Sequence, residues 1–308
     1  TIPEWIGESG PASLGCSSVA SPDGAPSVSA SGAGSGTASA SGTITNFGSV
    51  YVNGKKFETN EVEVIRGDQS NRCSISPSNT CGLKKGMIVT VQGSFNGSQH
   101  TAASVRQKDA VEGLVQSVAT DGLSLVVMGQ TVLIDDTTTF DNTVHPVAGD
   151  NVEVNGHIRP DGVIQATFIE KKLIAVTPEV RGFVKNHNDG GKTFQIGALT
   201  VNYTTAVIND LPAPSGSNWN GLLVEAKGTL FDATTMTLTA TKVEPESLGV
   251  GNNVDEFEVE GFVTQVLGAG DFFIGTTHVQ TTSATEFRGG TIDEIAIGAK
   301  VSAEGRLA

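Results

Sequence analysis

Gly149-Asp150-Asn151-Val152-Glu153-Val154-Asn155-Gly156 is the stretch on which the reading of the fold turns. Between its two glycines, Val152 and Val154 alternate with polar residues, the period-2 pattern of a strand with one face on a core. A glycine at each end marks where the chain enters the strand and where the strand bends or bulges. The same spacing of Gly, six residues and Gly returns in Gly86-Met87-Ile88-Val89-Thr90-Val91-Gln92-Gly93, in Gly221-Leu222-Leu223-Val224-Glu225-Ala226-Lys227-Gly228 and in Gly298-Ala299-Lys300-Val301-Ser302-Ala303-Glu304-Gly305. Four copies of one strand in a single chain signal a repeat architecture.

Working outward, each copy is preceded by a second shared segment: Gly42-Thr43-Ile44, Glu112-Gly113-Leu114-Val115, Arg181-Gly182-Phe183-Val184 and Glu260-Gly261-Phe262-Val263. Hairpin turns follow, with Asp121-Gly122 and Gly129-Gln130 in the second unit and Asp189-Gly190-Gly191 and Gly197 in the third. One more strand follows the Gly-x6-Gly strand in three units, carrying Ala102 and Val105, Ala166 and Ile169, and Ala240 and Val243. A complete unit therefore has five strands. The stretch between strands three and four has room for a short helix, and Thr291-Ile292-Asp293-Glu294 reads as a capping box opening one in the fourth unit.

Five strands with a connection between the third and fourth is the OB-fold layout, although the spacing alone fits any small five-stranded barrel. The predicted fold is thus all-β: four tandem small five-stranded OB-like barrels at residues 41–109, 110–174, 175–248 and 249–308, the fourth lacking its last strand, behind an extended tail at 1–40.

At this point the chain resembles a family of exported bacterial proteins that carry tandem copies of a small OB-like β-barrel domain of unknown function. The similar segments are Gly42-Thr43-Ile44-Thr45-Asn46-Phe47-Gly48-Ser49-Val50-Tyr51-Val52-Asn53-Gly54, Val111-Glu112-Gly113, Gly129-Gln130-Thr131-Val132 and the opening stretch from Gly149 to Gly156. The resemblance covers residues 41–308. It implies export and a barrel module. It implies no established activity, so no functional residue is carried over.

Both ends depart from the repeat. Residues 1–40 are rich in Ser, Gly, Ala and Pro, a composition that buries no core and reads as a flexible linker. At the other end the sequence stops at Gly305-Arg306-Leu307-Ala308, without the strand that follows Gly93, Gly156 and Gly228. A barrel short of one strand exposes two unpaired edges; an early end to the sequence is the plainer account. The sharper reading joins the two ends: the tail of one molecule supplies the missing strand of the next by β-strand addition. Such a contact is head-to-tail and need not close, so it grows a filament. Forty extended residues reach about 130 Å at ~3.3 Å each. Ile2, Trp5 and Ile6 are the predicted anchors in the tail, with Gly305 and Leu307 at the receiving edge.

The bulk numbers suit such a role. Charged residues are 17% of 308, aromatics 6%, and glycine contributes 38 residues, a profile of short strands and tight turns. The net charge of −14 repels phosphate backbones and anionic lipid. That argues against nucleic acid, as does the scarcity of aromatics outside the alternating core pattern. No run of 18 apolar residues is present, so no transmembrane span is expected. The start at Thr1, with no basic-then-apolar leader, reads as a processed product.

Cys73 and Cys81 flank a polar loop and predict a local disulfide in an oxidising compartment, with two free surface thiols as the alternative. Cys16 is left over, as an interchain cross-link or a free thiol. Ser13-Leu14-Gly15-Cys16 has some likeness to a lipidation site, but what precedes it is not apolar.

No constellation of catalytic residues is expected. The five histidines show no short pairing, the cysteines lack zinc spacing, and neither a G-x-S-x-G elbow nor a phosphate loop occurs. Asp135, Asp136 and Asp141 read as a solvated strand end before they read as a Ca²⁺ site. Trp219, next to Asn218, is weighed as a saccharide platform against a plug over a barrel end. The expectation is a non-catalytic, extracellular or cell-surface structural protein whose partners are copies of itself, with no catalytic, metal or cofactor residues. The alternative is a surface binding module for a glycan or a protein.

Overall fold

The structure is a computed structural model that describes residues 5–7, 14–15, 34–214, 216–246, 250 and 254–306. The tail contributes β1 (Trp5–Gly7) and β2 (Leu14–Gly15). The first repeat holds β3 (Ser35–Phe47), β4 (Val50–Val52), β5 (Lys55–Phe57), β6 (Val62–Arg66), β7 (Gln69–Cys73), β8 (Ile88–Asn96) and β9 (Gln99–Gln107). The second holds β10 (Val111–Val118), β11 (Ser124–Val127), β12 (Gln130–Leu133), β13 (Thr139–Phe140), β14 (Asn151–Ile158) and β15 (Ile164–Lys172). In the third are β16 (Glu179–Phe183), β17 (Lys185–Asn188), β18 (Thr193–Ile196), β19 (Leu199–Asn202), β20 (Val207–Ile208), β21 (Leu223–Asp232) and β22 (Thr237–Pro245). The fourth has β23 (Glu256–Gly268), β24 (Asp271–Ile274), β25 (Thr277–Gln280) and β26 (Lys300–Arg306).

The second repeat is a closed barrel. β10 pairs with β11, β11 with β12, β12 in parallel with β15, β15 with β14, and β14 returns to β10. In repeat order this is 1-2-3-5-4-1, an OB-like ring in which strand 5 lies between strands 3 and 4. The third repeat has the same neighbours, its strand 1 being broken at Val184 into β16 and β17. The first repeat joins strand 3 to strand 5 through a parallel bridge between Glu58 and Thr101.

The chain forms two compact units, Thr1–Lys108 with Leu248–Ala308, and Asp109–Ser247. The first unit contains repeats one and four, joined by parallel pairing of β3 with β23 from Ala38↔Glu256 to Ser41↔Val259. The second contains repeats two and three, joined through β10 and β16 at Val111↔Val180 and Glu112↔Glu179. Each repeat keeps its own inward-facing apolar residues; in the fourth these include Phe257, Val259, Val263, Phe272, Ile274, Val279, Val301 and Ala303.

Two local readings change. β3 begins at Ser35, inside the stretch that composition assigns to a linker. Its small residues are a packing requirement: β3 lies between β8 and β23, where Ala38 and Ala40 are buried and the Ser39 hydroxyl donates to the Val91 carbonyl at 3.0 Å. The connection before strand 4 does not form the expected capped helix. In the fourth repeat it makes a single 3-10 turn, Ile292–Glu294, and Thr291 places no side-chain cap on its backbone. In the first repeat the same connection holds the β6–β7 hairpin.

Candidate assembly edge

Both glycines of the repeated strand are explained by its neighbours. The first has φ of +89°, +96°, +86° and +87° at Gly86, Gly149, Gly221 and Gly298, a conformation that L side chains rarely adopt. In each repeat its N–H donates to a strand-1 carbonyl, at Ile44, Val115, Val184 and Val263, over 2.8–2.9 Å. The second glycine is a matter of distance. On strand 5 one residue bulges opposite it, so that Gly93, Gly156 and Gly228 pair with Ala102, Ala166 and Ala240. The carbonyl oxygen of the residue before each alanine then sits 1.9, 2.4 and 2.3 Å from where a Cβ would stand. The bulge expected at the second glycine therefore lies on the facing strand, and the glycine makes room for it.

Gly305 is the fourth of these glycines, and the edge beyond it is where strand 5 belongs. There β2 runs antiparallel to β26, with Leu14↔Gly305 and Gly15↔Glu304. β1 runs parallel to the same edge, with Trp5↔Val301, Ile6↔Ser302 and Gly7↔Ala303. The structure thus brings Trp5, Ile6 and Gly305 to one edge, on one chain. Ile2, Leu307 and Cys16 lie outside the described residues. Leu14, which sequence reasoning did not name as an anchor, faces Gly305 where the closed barrels have alanine. The opposite wall of the slot is β25, which among the described residues pairs with β24 alone.

A half-buried ion cluster ties β26 to the first repeat. The Lys55 ammonium on β5 pairs with Glu304 of β26 at 2.5 Å and with Glu256 of β23, and Glu256 also bonds His100 at 2.8 Å. Burial alone would lower the Lys55 pKa, but Glu304, Glu258 and Glu256 outweigh it and raise it well above its ordinary value. Burial opposes the charge on Glu256, yet the His100 hydrogen bond and Lys55 bring it down to about 2. Glu258, fully enclosed, is pushed well above the usual carboxylate range by burial, against the pull of Lys55. The cluster ties β26 to β5 and β23 through Glu304, Lys55 and Glu256.

The other candidates take structural places. Cys73 and Cys81 form a disulfide with Cα atoms 6.3 Å apart, closing the loop after the β6–β7 hairpin. Trp219 is fully buried, its indole N–H donating to the Pro212 carbonyl at 2.9 Å and its ring stacked on His187 with centroids 4.5 Å apart. It fills the third barrel and presents no face to a sugar. Asp135 caps its own turn, accepting from the Thr137 amide at 2.8 Å and from Gln165 at 2.9 Å. Among the described residues no group of three or more side chains is placed to hold a metal ion, and no helix is long and apolar enough to cross a membrane.

Residues 112–170 and 260–308 match the model of a family described as a domain of unknown function, DUF5666. The first match runs through all five strands of the second barrel, and the second runs from β23 through β26. The family module is therefore the barrel repeat itself. No curated protein matches the chain.

Proposed function

We propose that this chain is a non-catalytic structural protein of the cell exterior that assembles head-to-tail, its N-terminal tail filling the strand-5 position of the fourth barrel in the next molecule. The observation that carries this reading is the pairing of β1 and β2 with β26, along the edge that strand 5 covers in the closed barrels. In a single chain these pairs are made internally. The same pairs made between molecules exchange an identical element, a low-cost route to association. A head-to-tail exchange that does not close on itself grows into a filament. The Cys73–Cys81 disulfide supports a place in an oxidising compartment.

The test is removal of residues 1–33, which leaves β3 whole. The full chain is expected to form fibres visible by negative-stain electron microscopy and to sediment as concentration-dependent oligomers, and the shortened chain to remain monomeric. Polymers of unchanged form from the shortened chain, or a full chain that stays monomeric at every concentration, overturn the reading.

A further inference from the structure

The repeats differ in charge. Residues 41–109 hold eight Lys and Arg against five Asp and Glu, the one positive balance among the four, and residues 249–308 hold three against nine. The topology gathers positive side chains at one end of the first barrel. β6 runs parallel to β9 with Arg66↔Gln107, so both strands finish there and place Arg66, Arg106 and Lys108 at that end. β8 starts at the same place: the Lys108 N–H donates to the Ile88 carbonyl at 3.1 Å, and Lys84 and Lys85 lead into that strand. The Arg66 guanidinium lies against Gly82, its Nη1 2.7 Å from where a Cβ would stand. Asp68, in the turn after β6, is the acid set among them, and Asp109, the next along the chain, is buried. Lys84, Lys85 and Arg106 are exposed.

The fourth repeat has the opposite balance. Ile292 Cδ1 is 3.1 Å from where a Cβ on Gly270 would stand, so Asp271 lies beside the Ile292–Glu294 turn. Asp293 and Glu294 are exposed, and Arg288, the one Lys or Arg of residues 261–299, pairs with Glu286 at 3.4 Å. In the sheet, β3 and β23 stand between the strands of the basic end and those of the acidic side. We propose that the basic end of the first barrel is an electrostatic docking surface whose partner is the acidic side of the fourth barrel in a second copy of this chain. A net charge of −14 makes two copies repel on average, and at this end the repulsion turns to attraction. Opposed charges across an interface speed the encounter and fix its orientation. The proposal rests on the head-to-tail reading: the tail continues into β3, so a molecule whose tail lies on a neighbour's β26 tethers its own first repeat to that neighbour's fourth. Tethering makes the second contact intramolecular and raises its effective concentration.

Sedimentation of the full chain and of three full-length variants tests the pairing. Association of the parent is expected to weaken at least about tenfold as NaCl rises from about 50 to about 500 mM, because salt screens exposed charges. Lys85→Glu with Arg106→Glu, and separately Asp293→Lys with Glu294→Lys, are each expected to weaken it at least about tenfold at low salt. The variant carrying all four changes reverses both surfaces and is expected to regain parental association. Each variant is expected to melt with the parent, since its changes lie on exposed side chains. A double variant that associates like the parent, or a fourfold variant that stays weak, overturns the docking surface and leaves tail-driven assembly standing. So does a first-repeat reversal that spares association and abolishes retention of the chain on dextran sulfate, which gives the basic end to a polyanion. Failure of the parent to associate at any salt concentration overturns both readings.

Discussion

A methyl group on Gly156 would sit 2.4 Å from the Gln165 carbonyl oxygen, well inside the range where carbon and oxygen repel. Backbone is slow to yield, so Gly156→Ala is expected to cost about 1–3 kcal/mol in denaturant unfolding, the usual range for overpacking; an unchanged midpoint overturns the account. A second residue carries a pH signature. Burial first, and then the charge of Glu153, raise Glu112 to about 7 from its ordinary 4.5. Between those values the folded chain holds a proton that the unfolded chain has released, so Glu112 lowers stability as pH rises through that window. Glu112→Gln abolishes the titration, and the melting temperature of the variant relative to the parent should climb from about pH 5 to about pH 8. A difference that stays constant with pH shows that Glu112 is not the group. The glycine spacing was plain in the sequence, while its two causes were not. The positive φ of Gly149 and the facing carbonyl at Gly156 are facts about neighbours that one strand's sequence does not name.

At the scale of elements, the strands were legible wherever apolar and polar residues alternate, as in β14, and obscure where they do not. β3 starts in a run of Ser, Gly, Ala and Thr that reads as linker because it offers no apolar area. It is a strand because its backbone pairs with β8 on one side and β23 on the other, with Ala38 and Ala40 buried between. The Thr291–Glu294 box misled for the opposite reason: a capping pattern was present, but one turn is all that the connection holds. The β6–β7 hairpin depends on less. Its side chains on β7 are mostly exposed, and the disulfide ties its base. Cys73→Ser with Cys81→Ser is expected to lower stability by about 2.5 kcal/mol, the chain-entropy value for a loop this short. Hydrogen exchange should quicken in β6 and β7 before it does in β14. Equal protection of the hairpin in parent and variant counts against that role.

At the scale of the whole molecule, four repeats were readable from their spacing, but the way they sort was not. Repeats two and three share one sheet, and so do one and four. What joins them is backbone pairing between their first strands, β3 with β23 and β10 with β16, with charged residues beside the seam. In the second unit Arg181 pairs with Glu225 at 3.0 Å and Lys227 with Glu179 at 3.3 Å, all of them buried. A charge on the outer face of a strand reads the same in sequence whether water or another barrel lies against it. The tail and the fourth barrel stand out in the sequence because both break the repeat, and β1 and β2 of the tail pair with β26 within the one chain. The participation of Leu14, and the second wall at β25, needed the register.

The first unit is built from the beginning and the end of the sequence, with Asp109–Ser247 placed between them. On the ribosome this sets an order of events. The second unit has emerged in full while the first still lacks β23 and β26, so the Ser/Ala-rich edge of β3 waits, uncovered, through the translation of some 150 residues between Lys108 and β23. The chain thus carries one strand edge exposed during its own synthesis, and the small polar residues of β3 make that edge a poor partner for anything that arrives before β23.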